Sequence, residues 1–349
     1  MIERFRLRPL ARALRALLKR SRAFIIAVML ARDARLGVLE CVAPSYPVKL
    51  GARHQRFSLT ESVDYVTEVA ADYFAYGGLT DERVRGARVL EVGPGDSLGV
   101  ALLLIGLGAR QVVCLDRFVT WRDPQQQRRI NRELAARMAP DERSRAEHVL
   151  TPRGDLRPGQ TDVVLIEGTG IEDASRLFTS PFDVIVSRAV LAHVWEPEVA
   201  FRVMDELLAD DGLMAHKVDL SDHRLFSDAG HNPLTFLTIP DWLWDRMRRH
   251  TALTNRRLAD YYRAQFRALG YEAELLVTRL IGEPSLPTPR QASSLTHEIK
   301  IVSPKIDEIR PRLLARYRDL DDADLATAGI FAKARKPADS GRGRSAEAQ

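Results

Sequence analysis

The chain is expected to be an α/β protein built on a doubly wound, mostly parallel sheet, and three observations carry that expectation. An apolar run, Val89 to Val92, enters a glycine-bearing turn, Gly93-Pro94-Gly95-Asp96-Ser97, and leaves it as a second apolar run from Val100 to Ile105. Further strand-like runs, Gln111 to Leu115, Asp162 to Glu167 and Leu213 to Val218, are separated by helix-length segments, the pattern of parallel strands joined by crossovers. The length of 349 residues, with 45% hydrophobic and 28% charged residues, suits one large α/β domain with extensions rather than two full domains.

Residues 1 to 50 read as a basic helical arm. Positions 1 to 35 carry ten Arg or Lys against Glu3 and Asp33, a net +8, so the remainder of this +5 chain carries −3. Leu7, Leu10, Leu14, Leu17, Phe24, Ile25 and Val28 recur at helical spacing beside a stripe of Arg8, Arg12, Arg15, Lys19 and Arg22. Residues 1 to 35 can therefore meet an anionic membrane peripherally, or the helix packs on its own catalytic domain or on a second subunit with its arginines solvated. The acidic remainder and the lack of an aromatic-basic platform argue against nucleic acid. The longest apolar stretch, Ala23 to Ala31, is about half the ~20 residues a membrane span needs. Two distant cysteines, Cys41 and Cys114, imply neither a disulfide framework nor a metal knuckle and fit a cytoplasmic location.

Residues 51 to 83 form a helical segment leading into the core. Ser58-Leu59-Thr60-Glu61 has capping-box spacing, and Val63, Val66, Ala70 and Phe74 mark a helix that stops at Gly77-Gly78. Beyond the second strand, Asp123-Pro124 opens a polar helix from Gln125 to Met138, followed by a loop from Pro140 to Gln160. The stretch from about 219 to 262 is too long for a plain crossover and reads as a lid over a ligand, before a helix from Leu258 to Leu269 that ends at Gly270. A final antiparallel strand is expected near Glu298 to Ser303, then an extension over 303 to 349 that is disordered from about residue 333.

The glycine turn indicates a nucleotide-like ligand. Gly93 and Gly95 let the backbone take dihedrals closed to other residues and approach a ligand, and the following helix offers unpaired N–H groups. Asp116, ending the second strand, is placed to accept hydrogen bonds from a ribose diol. A dinucleotide fingerprint wants glycine where this chain has Leu98, and Glu91 puts a carboxylate where a cationic, amino-acid-bearing cofactor is welcome. S-adenosylmethionine is such a cofactor.

On these residues the chain resembles the class I S-adenosylmethionine-dependent methyltransferases, whose first motif, acidic-x-Gly-x-Gly-x-Gly, is matched by Glu91 to Ser97 with serine at the third glycine. The resemblance continues through Phe182 to Val194, similar to the family's fourth strand and following helix, and through Leu207 to Met214, similar to the turn into its fifth strand. It implies a seven-stranded Rossmann-like methyltransferase domain over about residues 84 to 302. It also implies that the loop after the third strand meets the adenine, with Ile171 on the purine face and Glu172 or Asp173 accepting the exocyclic amine, and that Ser187 lies beside the methionine portion.

Two histidines are candidate general bases. His223 lies past the fifth strand beside Asp219 and Asp222, and His193 lies in the helix expected after the fourth; the alternative for Asp222 and His223 is a capping role. Strand alternation sends His216, Asp219, Asp222 and His223 to different faces, so no metal is expected. Trp242, Trp244, Tyr261 and Tyr262 in the lid suit a small-molecule, glycan or lipid-linked methyl acceptor, and a histidine base suits a hydroxyl. The alternatives are a non-catalytic scaffold or membrane-docked regulator of the same fold, and an NAD-dependent oxidoreductase.

Overall fold

In the computed structural model, residues 20–42, 53–157 and 159–338 are described. The chain runs α1 (Arg22–Val42), α2 (Leu59–Ala75), β1 (Arg88–Val92), α3 (Gly99–Gly106), β2 (Gln111–Asp116), α4 (Pro124–Arg137), α5 (Pro140–His148) and β3 (Val163–Glu167). It continues through β4 (Phe182–Arg188), α6 (Pro197–Leu207), β5 (Leu208–Asp219), α7 (Asp241–Arg248) and α8 (Ala259–Ala268). The last elements are β6 (Glu272–Leu280), β7 (Ser285–Arg290), α9 (Thr296–Ile309) and β8 (Thr327–Arg335).

The hydrogen-bonded strand order is β3-β2-β1-β4-β5-β8-β6-β7. Strands β1 to β5 pair in parallel, with Glu91 opposite Cys114 and Val186, and Val92 opposite Leu115 and Ser187. β8 is antiparallel to β5, because Leu220 N–H donates to Ala328 O while Lys336 N–H donates to Gly212 O. It is antiparallel to β6 as well: Ile281 N–H reaches Ala326 O, and Lys333 pairs with Glu274.

Two compact units divide the chain. Of the described residues, one holds α1 with Asp219–Asp260 and Val277–Ile330; the other holds those from 53 to 218, Tyr261–Leu276 and 331–338. In the second unit α3 is buried on nearly every side, only Leu103 being partly exposed. Such a helix needs close neighbours all round, and a Cβ at Gly99 would stand only 2.9 Å from atoms of Val66 and Leu134. The helix that follows the glycine turn is thereby held rigidly. α2 begins as its spacing requires, with Glu61 N–H donating to Ser58 Oγ and Ser58 N–H to the Glu61 carboxylate at 2.7 Å. α4 is capped by Asp123, which accepts from Gln125 and Gln126.

Several expectations are corrected. The sheet has eight strands rather than seven, the addition being the edge hairpin strand β7. Glu298 to Ser303 is not a strand but part of α9, whose buried Ile299, Val302, Ile306 and Ile309 fall at helical spacing. The antiparallel strand is β8, so order extends past residue 333 to the end of that strand; residues 339–349 lie outside the described residues. The expected loop after Pro140 begins instead with α5, where Pro140 occupies the first turn and Asp141 and Glu142 favour the helix N-terminus. Of the basic arm, residues 1–19 and 43–52 lie outside the described residues. α1 packs within its own unit through buried Ile25, Met29 and Asp33. The lid aromatics Trp244 and Tyr262 are core residues, each 1% exposed; Trp244 donates to Thr254 O at 2.7 Å, and Tyr262 packs against Phe201.

Candidate functional site

The glycine turn starts where β1 ends between β2 and β4. Gly93 N–H donates to Leu115 O at 2.8 Å, so the chain leaves the sheet beside the end of β2. Gly93 and Gly95 have φ of 71° and 70°, and a Cβ at Gly93 would lie 2.3 Å from a Val190 methyl carbon. Both the dihedral and the space demand glycine there. Asp96, 2% exposed, accepts from the Arg53 and Gln55 N–H groups at 3.1 and 3.3 Å, which ties the segment ahead of α2 to the turn. Ser97, at the motif's third glycine position, accepts from Gly99 N–H at 3.2 Å and so serves the start of α3.

Two carboxylates flank this turn. Glu91 is 5% exposed and receives a hydrogen bond from the Cys114 thiol at 3.4 Å; burial pushes its carboxyl up to about 7, and the Cys114 thiol is raised for the same reason. Asp116 is also raised by burial, against the hydrogen bonds it accepts from the Phe118 and Gly95 N–H groups. Sequence reasoning missed Arg122, which donates to Gly95 O and to Glu167 Oε1, each at 2.6 Å, fixing the turn to the end of β3. Nothing in its local spacing marks this, apart from its place shortly after a strand end.

The loop after β3 reaches the same end of the sheet, Thr169 N–H donating to Asp116 O at 3.3 Å. Ile171 is buried and Asp173 exposed. Glu172 has protein partners on both oxygens: Arg117 at 2.7 Å, and the Trp195 N–H, with Arg117 also 4.0 Å from the Trp195 ring centroid. Its carboxylate thus holds the approach to α6 in place.

Ser187, at the end of β4, is fully buried and hydrogen-bonded to His216 Nδ1 at 2.8 Å. Burial drives the His216 pKa down to about 3, and its Nε2 is buried with no hydrogen-bond partner among the described residues. Next along β4, Arg188 pairs with Asp72 and Glu68, and Lys217 with Asp72, clamping α2 over these strand ends.

His193 is half-buried in a turn, not a helix: Ala189 takes φ 56°, His193 N–H closes onto Val190 O at 2.7 Å, and α6 begins only at Pro197. This is the turn whose Val190 abuts Gly93. His223 belongs to the other unit, exposed and at φ 49°, its N–H donating to Ser221 Oγ. Asp222 closes the turn after β5, accepting from the Arg224, Phe226 and Ser227 N–H groups. Burial alone would raise Asp219, but His223, Arg279 and Ser221 hold it below the usual carboxylate range. The structure therefore assembles Glu91, Gly93, Gly95, Asp116 and the turn carrying His193 in one unit and leaves His223 in the other. Among the described residues, no group of three or more His, Cys, Asp or Glu is placed to hold a metal ion.

Comparison with curated proteins gives no match. Among solved structures, the chain is similar to an S-adenosylmethionine-dependent methyltransferase from Mesorhizobium loti, at 14% identity over 78% of this chain and 100% of that one, with a TM-score of 0.38. It is similar to magnesium protoporphyrin IX methyltransferase from Synechocystis with bound SAH, at 11% identity, 79% and 83% coverage and a TM-score of 0.37. It is also similar to the YcgJ protein from Bacillus subtilis, at 16% identity, 74% and 97% coverage and a TM-score of 0.35. A family described as "Methyltransferase domain" matches residues 53–276, most of the chain and all of the glycine turn with its flanking strands. The chain belongs to this family of methyltransferase domains.

Proposed function

We propose that the chain is an S-adenosylmethionine-dependent methyltransferase acting on a hydroxyl of a small-molecule, glycan or lipid-linked acceptor. The observation that carries this reading is Glu91, a carboxyl buried at the β1 end against a turn whose two glycines have positive φ. A buried carboxyl still raised to about 7 beside Cys114 and Arg122 gains further as an anion when another cation comes near, which suits a ligand bearing both a sulfonium and an amino group. The donor set fits as well: Asp116 supplies a carboxylate for ribose hydroxyls, and the turn supplies close backbone approach. On the β3 loop, Ile171 and Asp173 are the residues proposed to meet the adenine, Glu172 acting through Arg117.

When bound, S-adenosylmethionine supplies an electrophilic methyl group. The protein's share of the chemistry is to align the acceptor, keep water away and take its proton. His193 is the first candidate for that proton because its turn abuts Gly93, and His223 is the second. Calorimetry tests the reading: S-adenosylhomocysteine is expected to bind and NADH not to bind, and the reverse would select an oxidoreductase. With an acceptor in hand, His193→Ala should lower turnover about 10²-fold at unchanged cofactor affinity. A rate that survives that change but falls in His223→Ala would move the role to His223, and cofactor binding without turnover on any acceptor would select the non-catalytic scaffold.

A further inference from the structure

Among the described residues, α1 packs through one side. Asp33, 1% exposed, accepts from His250 N–H at 2.6 Å and pairs with Arg246, while Arg22 donates to Thr238 Oγ1 at 2.6 Å. Gly37 abuts the His250 ring, where a Cβ would come within 2.9 Å. Residues 22, 33 and 37 thus lie beside 238, 246 and 250, so α1 and α7 run side by side in the same direction. Interpolation places Trp242 level with the turn that carries Val28.

The opposite side of α1 departs from an ordinary surface helix, whose outer face is polar. Val28, Val38 and Val42 are 47%, 64% and 79% exposed, and the alanines between them are exposed too. The charges on this face are Arg32 and Arg35, with no exposed acid among the described side chains of the helix. Trp242, on the adjoining α7, is 73% exposed. The acids of α7 are already matched, Asp241 by Arg256 and Arg316, and Asp245 by Arg248. By sequence, the 19 residues ahead of Arg20 add six Arg or Lys against Glu3 alone.

An apolar face whose exposed charges, among the described side chains, are arginines gains no charge pairing from a second copy of itself and is complementary to an apolar slab with an anionic top layer. We propose that the outer face of α1 and Trp242 dock on the surface of an anionic lipid bilayer. Val28, Val38, Val42 and Trp242 enter the headgroup region, and Arg32 and Arg35 meet lipid phosphates. No described helix is long and apolar enough to cross a membrane, so this contact lies along the surface.

The test is sedimentation of the full-length protein with vesicles of phosphatidylglycerol and phosphatidylcholine, against phosphatidylcholine alone, at low and high salt. The wild type should partition onto the anionic vesicles at least about tenfold more strongly, with the difference shrinking in salt. The triple variant Val28→Glu, Val38→Glu, Val42→Glu should lose about tenfold or more while S-adenosylhomocysteine affinity and melting temperature hold. Should the triple variant melt early, Trp242→Ala with Arg32→Glu and Arg35→Glu serves instead. Equal partition of wild type and variants onto anionic vesicles overturns the proposal. So does a wild type that ignores vesicles but dimerises through this face.

Discussion

Glu91 and His216 stand two strands apart in the same sheet, on β1 and β5, and both are almost wholly removed from water. The register puts Glu91 level with Val186 and Val92 level with Ser187, which itself pairs with His216, so the two side chains leave opposite faces of the sheet. Among the described residues each has a protein hydrogen bond, from the Cys114 thiol to Glu91 and between Ser187 and His216. Burial disfavours charge in both, and here they diverge: the carboxyl rises to about 7 and the imidazole falls to about 3. At neutral pH His216 is far from ionising, a sealed structural group. Glu91 is balanced between its two forms, and a nearby cation decides which one it takes. The same physical effect leaves one strand end neutral and the other poised between charge states near neutral pH.

The largest expected effect breaks or sharpens the sealed half of this comparison. A folded-state pKa depressed from 6.5 to about 3 contributes stability that is present above 6.5 and lost as pH falls toward 3. The full loss is about 5 kcal/mol, with about 3 kcal/mol of it gone by about pH 4. His216→Asn keeps a partner for Ser187 and should remove this component, so wild type and variant should diverge in denaturant titrations between pH 7 and pH 4. Parallel curves would mean that His216 protonates in the fold as readily as in water.

The responsive half gives the opposite sign. A carboxyl raised from 4.5 to about 7 contributes stability that is present below 4.5 and lost as pH rises through 7. Glu91→Gln should therefore match the wild type near pH 4.5 and exceed it by about 3 kcal/mol at pH 8 in the ligand-free protein. A variant less stable than wild type at pH 8 would show that the carboxylate is already neutralised by the protein itself.

Much of this end of the molecule was legible in the sequence, because its signals are local. The Ser58 and Glu61 spacing, the Asp123-Pro124 start and the two-glycine turn each encode their own backbone geometry, strands β1, β2, β3 and β5 follow from apolar runs between helices, and β4 follows from the family resemblance. What was not legible depends on partners distant in sequence. Glu298 to Ser303 is a short apolar run that fits a strand or a helix, and the buried spacing out to Ile309 resolves it. β8 is the converse case: Thr327 to Arg335 falls in the expected C-terminal extension, the last part of it in the stretch expected to be disordered, and its place between β5 and β6 makes it a buried strand. Arg122 is an ordinary surface charge by sequence, and Glu172 reads as a ligand for the adenine rather than as a partner of Arg117 and Trp195. Only folding brings Gly95 O to the first and Arg117 to the second. The turn carrying His193 has the same origin, since a left-handed Ala189 breaks the chain before α6.

The most direct test of the account is the affinity of wild type and Glu91→Gln for S-adenosylmethionine, measured by calorimetry at pH 6 and pH 8. If Glu91 ionises to meet the cationic cofactor, wild-type affinity should rise with pH through 7 by more than that of the variant, so that any titration of the ligand cancels in the difference. The variant should bind more weakly at pH 8 by about 1 to 3 kcal/mol, the range for a lost hydrogen bond to a charged group. Equal affinities with the same pH dependence would contradict the account and leave Glu91 as a buried structural carboxyl.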